Sequence, residues 1–311
     1  MPADLLVDPR TAPGSGYIVV SLVVLSAVSL AAVALFGVAR RGGAAPRTLL
    51  ARWLSWLVIA AIWAAACLSG PLPVSLLMTA LALVGLREFG RLTELPASHR
   101  ALLAIGAVIA GGLALAGAAT LLAMIPLLLL VGIVQPVVAA DIRHGIRHLA
   151  FGALGFGYLP LLLGHGTLIA RDVAGGGKVL FVLGVAVAFS DIGAYVAGRT
   201  FGRHPLAPQL SPNKTVEGLA GNLVGAALGL ALFLPVVPPM PAAILVALPP
   251  LVAVGAVWGD LFESALKREF GTKDAGTWLP GFGGLLDRID SLILVLPLAY
   301  YGLRAAGLAH P

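Results

Sequence analysis

Long apolar runs constrain the fold of this chain more than any other feature of its sequence. A helix that crosses a bilayer needs about 20 apolar residues. Ten runs of about this length follow one another, at about 17–39, 53–69, 71–86, 101–117, 120–139, 149–169, 178–198, 217–236, 242–262 and 288–305. The composition, 59% hydrophobic and 11% charged, excludes a soluble globule and a disordered chain. The sequence therefore predicts an all-α, polytopic integral membrane protein with about ten transmembrane helices.

The distribution of Lys and Arg predicts the orientation of these helices. Cations near helix ends favour the cytoplasmic side of a membrane. With the N-terminus outside, only four of the 20 Lys and Arg residues lie on the outer side, namely Arg10, Arg171, Lys178 and Arg304. We therefore predict an N-out, C-out protein of the cytoplasmic membrane, with segments 199–217, 260–274 and 287–290 facing the cytoplasm. The net charge of +6 then reflects cytoplasmic loops, and it does not indicate nucleic-acid binding.

Carboxylates are concentrated in the C-terminal part of the chain. An ionised group near the bilayer is costly, so it is usually paired, exposed to water or functional. Eight of the 14 Asp and Glu residues lie within one hundred-residue stretch: Asp191, Glu217, Asp260, Glu263, Glu269, Asp274, Asp287 and Asp290. We divide the chain into a hydrophobic transmembrane region, 1–170, and a C-terminal transmembrane region, 171–311, whose cytoplasmic motifs are where we expect any catalytic chemistry.

Two helix ends in this region carry polar residues at helical spacing. If the ninth and tenth helices include them, the residues of each set share one face: Asp260, Glu263, Ser264 and Lys267 on the ninth, and Asp287, Asp290 and Ser291 on the tenth. Oxygen ligands interleaved with cations suit Mg²⁺ and phosphates. The alternative is a solvated charge cluster with internal salt bridges, and spacing alone favours neither.

Residues 211–218, SPNKTVEG, indicate the start of a helix, with Ser211 as the N-cap and Pro212 at the first helical position. Backbone N–H groups at such a start, together with Lys214, form an anion pocket. An ordinary capped helix at the membrane interface is the alternative.

Asp191 lies inside the seventh apolar run, where a lone ionised carboxylate is costly. It is either buried and paired with a cation, or close enough to the cytoplasmic end to face a polar cleft. We favour the cleft. By contrast, His144 and His148 are four residues apart in a basic segment with only Asp141 nearby, which favours an interfacial helix face over a zinc site.

Residues 264–291, SALKREFGTKDAGTWLPGFGGLLDRIDS, resemble the signature of the phosphatidate cytidylyltransferases, the CDP-diglyceride synthetases. The pattern is met by Ser264, Lys267, Arg268, Lys273, Asp274, Pro280, Gly283, Gly284, Asp287, Arg288 and Asp290. Segments 259–263, 191–202 and 211–218 also look like motifs of that family. The resemblance covers about residues 180–300, whereas the N-terminal half is similar only in being hydrophobic.

The resemblance implies a CTP-dependent reaction of phospholipid biosynthesis. Phosphatidate attacks the α-phosphorus of CTP, which releases pyrophosphate and forms CDP-diacylglycerol. Mg²⁺ is the implied cofactor, with K⁺ as a candidate second cation in the same site. The implied partners are CTP, phosphatidate in the bilayer and membrane lipids, with a homodimer as one option and no nucleic acid.

The same resemblance assigns roles to individual residues. Asp260 and Asp287 are the implied metal ligands. The implied phosphate ligands are Lys267, Arg268, Lys273 and Arg288. A second anion-binding edge consists of Ser211, Asn213 and Lys214. The remaining members of the catalytic motifs are Asp191, Glu263, Ser264, Asp274 and Asp290.

One position departs from the family pattern, which commonly has a histidine before the Gly-Gly pair where this chain has Phe282. The nucleophile is a phosphate monoester, whose second ionisation lies near pH ~6, so we expect charge neutralisation to matter more than a base.

A related CTP-dependent transferase or lipid kinase on another acceptor is the alternative enzyme. A transporter is the alternative from another class, but it predicts broken helices near the midplane, often in repeated halves.

Overall fold

The computed structural model describes residues 4–9, 14–39, 46–138, 143–272 and 284–310. Within them, regular structure is almost entirely helical, as predicted. The helices are α1 Ser15–Ala39, α2 Pro46–Leu68, α3 Pro71–Leu92, α4 Ala97–Ala116, α5 Ala118–Leu122, α6 Met124–Val138, α7 Gly145–Phe156, α8 Leu162–Asp172, α9 Gly176–Phe201, α10 Val216–Leu232, α11 Ala242–Glu269 and α12 Leu286–Ala305.

Each predicted apolar run coincides with one helix or with a broken pair. The run at about 120–139 consists of α5 and α6, and the run at about 149–169 consists of α7 and α8, joined by a π-helical turn that contains Pro160. Proline removes a backbone donor and disturbs the regular ladder, which accounts for this turn. Between α4 and α5 the break is Gly117, whose φ of 132° favours glycine.

Membrane-spanning character is clear for six segments of the described chain. Segments 71–92, 97–116, 118–138, 145–172, 176–201 and 242–269 are long and apolar enough to cross a membrane. Shorter apolar helices occur at Ser15–Ala31, Trp53–Leu68 and Val216–Leu232. Helix α12 is less apolar because it carries Asp287, Arg288, Asp290 and Arg304. The all-α, multi-pass fold is thus confirmed, while the count of ten spans and the N-out orientation stay predictions.

Two helix pairs of the C-terminal region approach so closely that their contacts exclude side chains. A Cβ at Gly225 of α10 would lie 2.2 Å from the carbonyl oxygen of Phe189 on α9. Similarly, a Cβ at Gly259 of α11 would lie 2.2 Å from the carbonyl oxygen of Asp290 on α12. Small residues allow this close packing between membrane helices. At Gly259 the close approach brings the polar end of α11 against that of α12.

A short antiparallel hairpin between α9 and α10 corrects the predicted helix start at Ser211. The hairpin consists of β1 Pro205–Ala207 and β2 Ser211–Thr215, with Ser211 opposite Ala207. Strand pairing keeps residues 211–215 extended, so α10 begins only at Val216. Thr215, rather than Ser211, is the N-cap, and its hydroxyl oxygen accepts a hydrogen bond from the Gly218 N–H at 3.0 Å.

Candidate active site

The polar ends of α9, α11 and α12 meet beside the end of strand β2. The Lys214 Nζ lies 2.6 Å from Asp260 Oδ2, and the Ser264 hydroxyl donates to Asp260 Oδ1 at 3.3 Å. On α12, Ser291 lies beside the carboxylate of Asp191. We call this group the Lys214 cluster and define it as Asp191, Lys214, Asp260, Ser264, Asp290 and Ser291.

The Lys214 cluster has an excess of negative charge. Asp191, Asp260 and Asp290 repel one another electrostatically, and the ammonium of Lys214 offsets only part of that repulsion. Asp290 is buried and accepts a hydrogen bond from the Ser291 N–H at 2.7 Å. Asp191, in contrast, is exposed at its position on α9, and Lys214 is the cation near its carboxylate. The surplus negative charge suits an added cation.

A second group, the Lys267 cluster, consists of Glu263, Lys267 and Asp287. The Lys267 ammonium forms ion pairs with both carboxylates, at 2.6 Å to Asp287 Oδ1. Asp287 Oδ2 accepts a hydrogen bond from the Gly284 N–H at 3.0 Å. The Glu263 side chain is almost fully buried, with 1% of its surface exposed. The interaction joins α11 to the first turn of α12, because Lys267 lies on one helix and Asp287 on the other.

The two carboxylates predicted as metal ligands therefore have different immediate partners. Asp260 pairs with Lys214, and Asp287 pairs with Lys267. Within the described residues, no three His, Cys, Asp or Glu side chains converge closely enough to hold a metal ion by themselves. Mg²⁺ commonly takes only one or two carboxylates and completes its shell with water and substrate phosphates. The oxygen donors of both clusters fit that requirement.

Glu88 of α3 is part of this architecture, although its role was not predicted from the sequence. Its Oε1 and Oε2 atoms accept hydrogen bonds from the backbone N–H groups of Leu285 and Leu286, at 2.9 and 2.8 Å. The first N–H groups of a helix have no hydrogen-bond partner inside that helix, and a negative charge near them is favourable. The side chain is buried. Glu88 thus holds the end of α12 that carries Asp287 and Asp290. The available signal was a lone carboxylate at the end of an apolar run.

Glu217, in the first turn of α10, forms hydrogen bonds with the residues just before the hairpin. Glu217 Oε2 accepts hydrogen bonds from the backbone N–H groups of Arg203 and His204, at 3.1 and 3.3 Å, and Glu217 Oε1 lies 2.6 Å from His204 Nδ1. These contacts connect the residues just before β1 to the first turn of α10, the helix that follows β2.

The other predicted site residues lie around the clusters or outside the described residues. Arg268 and Arg288 are exposed near the adjoining ends of α11 and α12. Ser211, which is half-buried, and Asn213, which is exposed, lie in the same strand β2 as Lys214. Lys273, Asp274 and Phe282 lie outside the described residues.

The arrangement combines what transfer of a phosphorus group requires. Carboxylate oxygens provide sites for a hard cation, and Lys and Arg provide positive charge for a polyanion. Both features lie at the adjoining ends of α11 and α12. Such a site acts mainly by positioning and charge stabilisation.

Known proteins resemble this chain over part of its length. The sequence profile of the Cytidylyltransferase family matches residues 50–306. The chain is 42% identical over 139 residues to the phosphatidate cytidylyltransferase of Mycobacterium leprae, an alignment that covers 44% of this chain and 43% of that protein. It is 43% identical over 123 residues to that of Bacillus subtilis, with coverages of 39% and 46%. For Staphylococcus saprophyticus the identity is 38% over 164 residues, with coverages of 51% and 57%. The chain thus spans about half the length of the curated relatives it matches.

Proposed function

Because this chain belongs to the cytidylyltransferase family, we propose that it is a membrane enzyme that makes CDP-diacylglycerol and pyrophosphate from phosphatidate and CTP. The single observation that carries the proposal is the polar end of α11, where Lys267 pairs with Asp287 of α12 and Asp260, two turns earlier, pairs with Lys214 of the hairpin. This junction lies inside the matched region. The names of the relatives support the choice of phosphatidate as the acceptor.

In the proposed reaction, an oxygen of the phosphatidate monoester forms a bond to the α-phosphorus of CTP. The bond from that phosphorus to the bridging oxygen of the β-phosphate breaks, and pyrophosphate leaves with the electron pair. Lys214 and Lys267 are placed to compensate the negative charge of the triphosphate as it accumulates on the leaving group. The phosphatidate oxygen is already anionic at about pH 7, since its second ionisation lies near pH ~6. A base at position 282 is then unnecessary.

Mg²⁺ is part of the proposal because the donor set consists of carboxylate and hydroxyl oxygens. Asp260 and Asp290, or Asp287 after release from Lys267, are the residues that would hold it. When bound, the ion would neutralise phosphate charge and orient the reacting phosphorus. Displacement of Lys214 from Asp260 would free that lysine for the nucleotide. K⁺ and a homodimer stay predictions of the sequence resemblance.

The proposed site faces the cytoplasm, where CTP is available. The supporting observation is that the cation-rich segments around residues 199–214 and 267–272 lie at the same end of the helices as the two clusters. Phosphatidate would approach laterally from the inner leaflet of the cytoplasmic membrane.

The proposal is tested with the purified full chain in lipid nanodiscs, supplied with phosphatidate, labelled CTP and Mg²⁺. We expect labelled CDP-diacylglycerol and an equal amount of pyrophosphate. Asp260→Asn should lower turnover about 100-fold or more, the scale lost when one charge-stabilising group is removed. Glu269→Gln is the matched control, because Glu269 is exposed near the end of the same helix. The proposal would be refuted if no CDP-lipid formed although intact CTP and phosphatidate were present. It would also be refuted if both variants lost turnover equally.

A further inference from the structure

A second site is suggested by an apolar cavity in the N-terminal region, away from the two clusters. The cavity, of about 180 Å³, lies among α4, α6 and α7. Its walls are mostly Leu, Ile, Phe and Gly, and Ile125 and Leu129 of α6 line it while they remain 40% and 45% exposed. Because α6 belongs to a membrane-spanning segment, this exposed wall faces lipid. The cavity therefore opens towards the bilayer interior.

The size and lining of the cavity suit part of a hydrocarbon chain. An apolar cavity of about 150 Å³ holds one benzene molecule and excludes water. A segment of one acyl chain fits a space of this size, and the rest of the chain would remain in the bilayer. The polar lining is limited to His99, Gln135 and His148. Gln135 Oε1 is buried and has no hydrogen-bond partner within the described residues, and it marks the polar end of the cavity.

From this polar end a row of imidazole rings leads to the surface. The ring centroids of His99 and His148 are 5.1 Å apart, and those of His148 and His144 are 5.9 Å apart. His99 is buried, whereas His144, Arg143 and Arg147 are exposed. An imidazole ring carries at least one N–H donor in every protonation state. The row and the two arginines together form a surface that is complementary to a phosphate.

The polar end of the cavity lies on the same side of the protein as the proposed active site. Phe151 of α7 packs edge-on against Phe270, which follows α11, with ring centroids 5.4 Å apart. The Arg147 guanidinium lies over the Phe151 ring, 5.8 Å from its centroid. Helix α7 separates the two sites, because Phe156 lines the cavity while Tyr158, just beyond the helix, packs against Phe262 of α11.

We propose that this cavity binds one acyl chain of an anionic phospholipid, whose phosphate lies against His144, His148 and the neighbouring arginines. The observations are an apolar space with an exposed wall on α6, imidazole rings at its polar end, and two exposed arginines beside them. A zwitterionic phospholipid would bind less tightly, because its own ammonium group offsets the attraction of its phosphate. The site is distinct from the proposed catalytic one and requires no CTP.

The experiment uses the full chain in nanodiscs without CTP. Phosphatidylglycerol with a diazirine in the outer half of one acyl chain is photolysed, and labelled peptides are mapped by mass spectrometry. Phosphatidylcholine with the same chain is the comparison lipid. We expect label from phosphatidylglycerol in residues 124–138 and 145–161, about tenfold above that from phosphatidylcholine, which corresponds to ~1.4 kcal/mol.

Gly152→Leu tests whether the cavity is the site. Gly152 lines the cavity, and a Cβ there meets no atom within 4 Å, so leucine would fill the space without moving the backbone. Gly112→Leu is the matched control, because a Cβ at Gly112 of α4 also meets no atom within 4 Å and that residue does not line the cavity. We expect Gly152→Leu to remove the excess label and Gly112→Leu to retain it. Leu129→Trp blocks the same opening from the exposed side, should Gly152→Leu not accumulate.

One more variant tests the polar end of the cavity, and two results would overturn the proposal. His148→Ala should bring the labelling by phosphatidylglycerol down towards that by phosphatidylcholine. Equal labelling by both lipids in the unaltered chain, or equal labelling of Gly152→Leu and Gly112→Leu, would overturn the proposal. Neither result depends on catalytic turnover, so the failure of this site is distinguishable from the failure of the proposed reaction.

Discussion

Glu88→Gln should loosen the start of α12 and impair the proposed active site from a distance. Glu88 accepts two hydrogen bonds, from the N–H groups of Leu285 and Leu286. A glutamine has one oxygen, so it can accept one of them, while its amide N–H₂ group would face the second donor. The substitution also removes the charge that interacts favourably with the helix N-terminus.

The expected magnitude follows from these contacts. A hydrogen bond to a charged group contributes about 1.5–3 kcal/mol, and a buried donor left without a partner costs about 1–3 kcal/mol. We therefore expect local opening of the first turn of α12 to become easier by about 2–4 kcal/mol. The smaller figure corresponds to roughly a 30-fold rise in amide exchange at Leu285 and Leu286. Asp287 and Asp290 follow in the same helix, so turnover should fall about tenfold or more.

The measurement is hydrogen exchange of peptides covering residues 284–292, in parallel with the CDP-lipid assay. Glu94→Gln is the matched control, because Glu94 lies just beyond α3 and is exposed. It should alter neither exchange in α12 nor turnover. If Glu88→Gln leaves the exchange of Leu285 and Leu286 unchanged, the two hydrogen bonds do not hold α12 and the reasoning is wrong.

Three further predictions concern the approach of the helices, the departure at Phe282 and the topology. Gly259→Val should lower turnover, measured by CDP-lipid formation, at least about tenfold. A side chain there would collide with the Asp290 carbonyl and separate α11 from α12, so unchanged turnover would contradict this prediction. Phe282→His should leave turnover within about tenfold, ~1.4 kcal/mol in barrier; activity that appears only with the histidine and rises through a pKa of ~6.5 would show that the family histidine is catalytic. Topology reporters should read cytoplasmic after His204 and external after Asp172; an inverted signal would exclude the predicted orientation.

The candidate site was predictable where its residues are close in the sequence. Asp260, Ser264 and Lys267 do share one face of α11, because helical spacing alone puts positions four and seven residues on at neighbouring azimuths. The faulty prediction in this region, Ser211 as an N-cap, followed from a local signal. Pairing of β2 with β1 overrode that signal, and Thr215 became the cap instead.

Ion-pair partners were not predictable in the same way, since they join separate elements. Lys214 on the hairpin pairs with Asp260 on α11, and Lys267 on α11 pairs with Asp287 on α12. Spacing in one helix carries no information about which side chain of another helix lies opposite. The sequence placed Asp260 and Asp287 in one expected metal site, whereas the fold gives each its own lysine.

By itself, the sequence determined the approximate limits of the apolar helices and the concentration of carboxylates in the C-terminal part of the chain. Both can be read from the order of residues alone. A helix in lipid satisfies its own backbone hydrogen bonds, so a segment needs only enough consecutive apolar residues to cross the bilayer. Tertiary structure alone decided that Glu88 holds α12, across a separation of 197 residues. It also decided that Gly259 brings two carboxylate-bearing helix ends into contact. Such contacts depend on how closely particular helices approach, and that distance is set by the packing of the whole bundle.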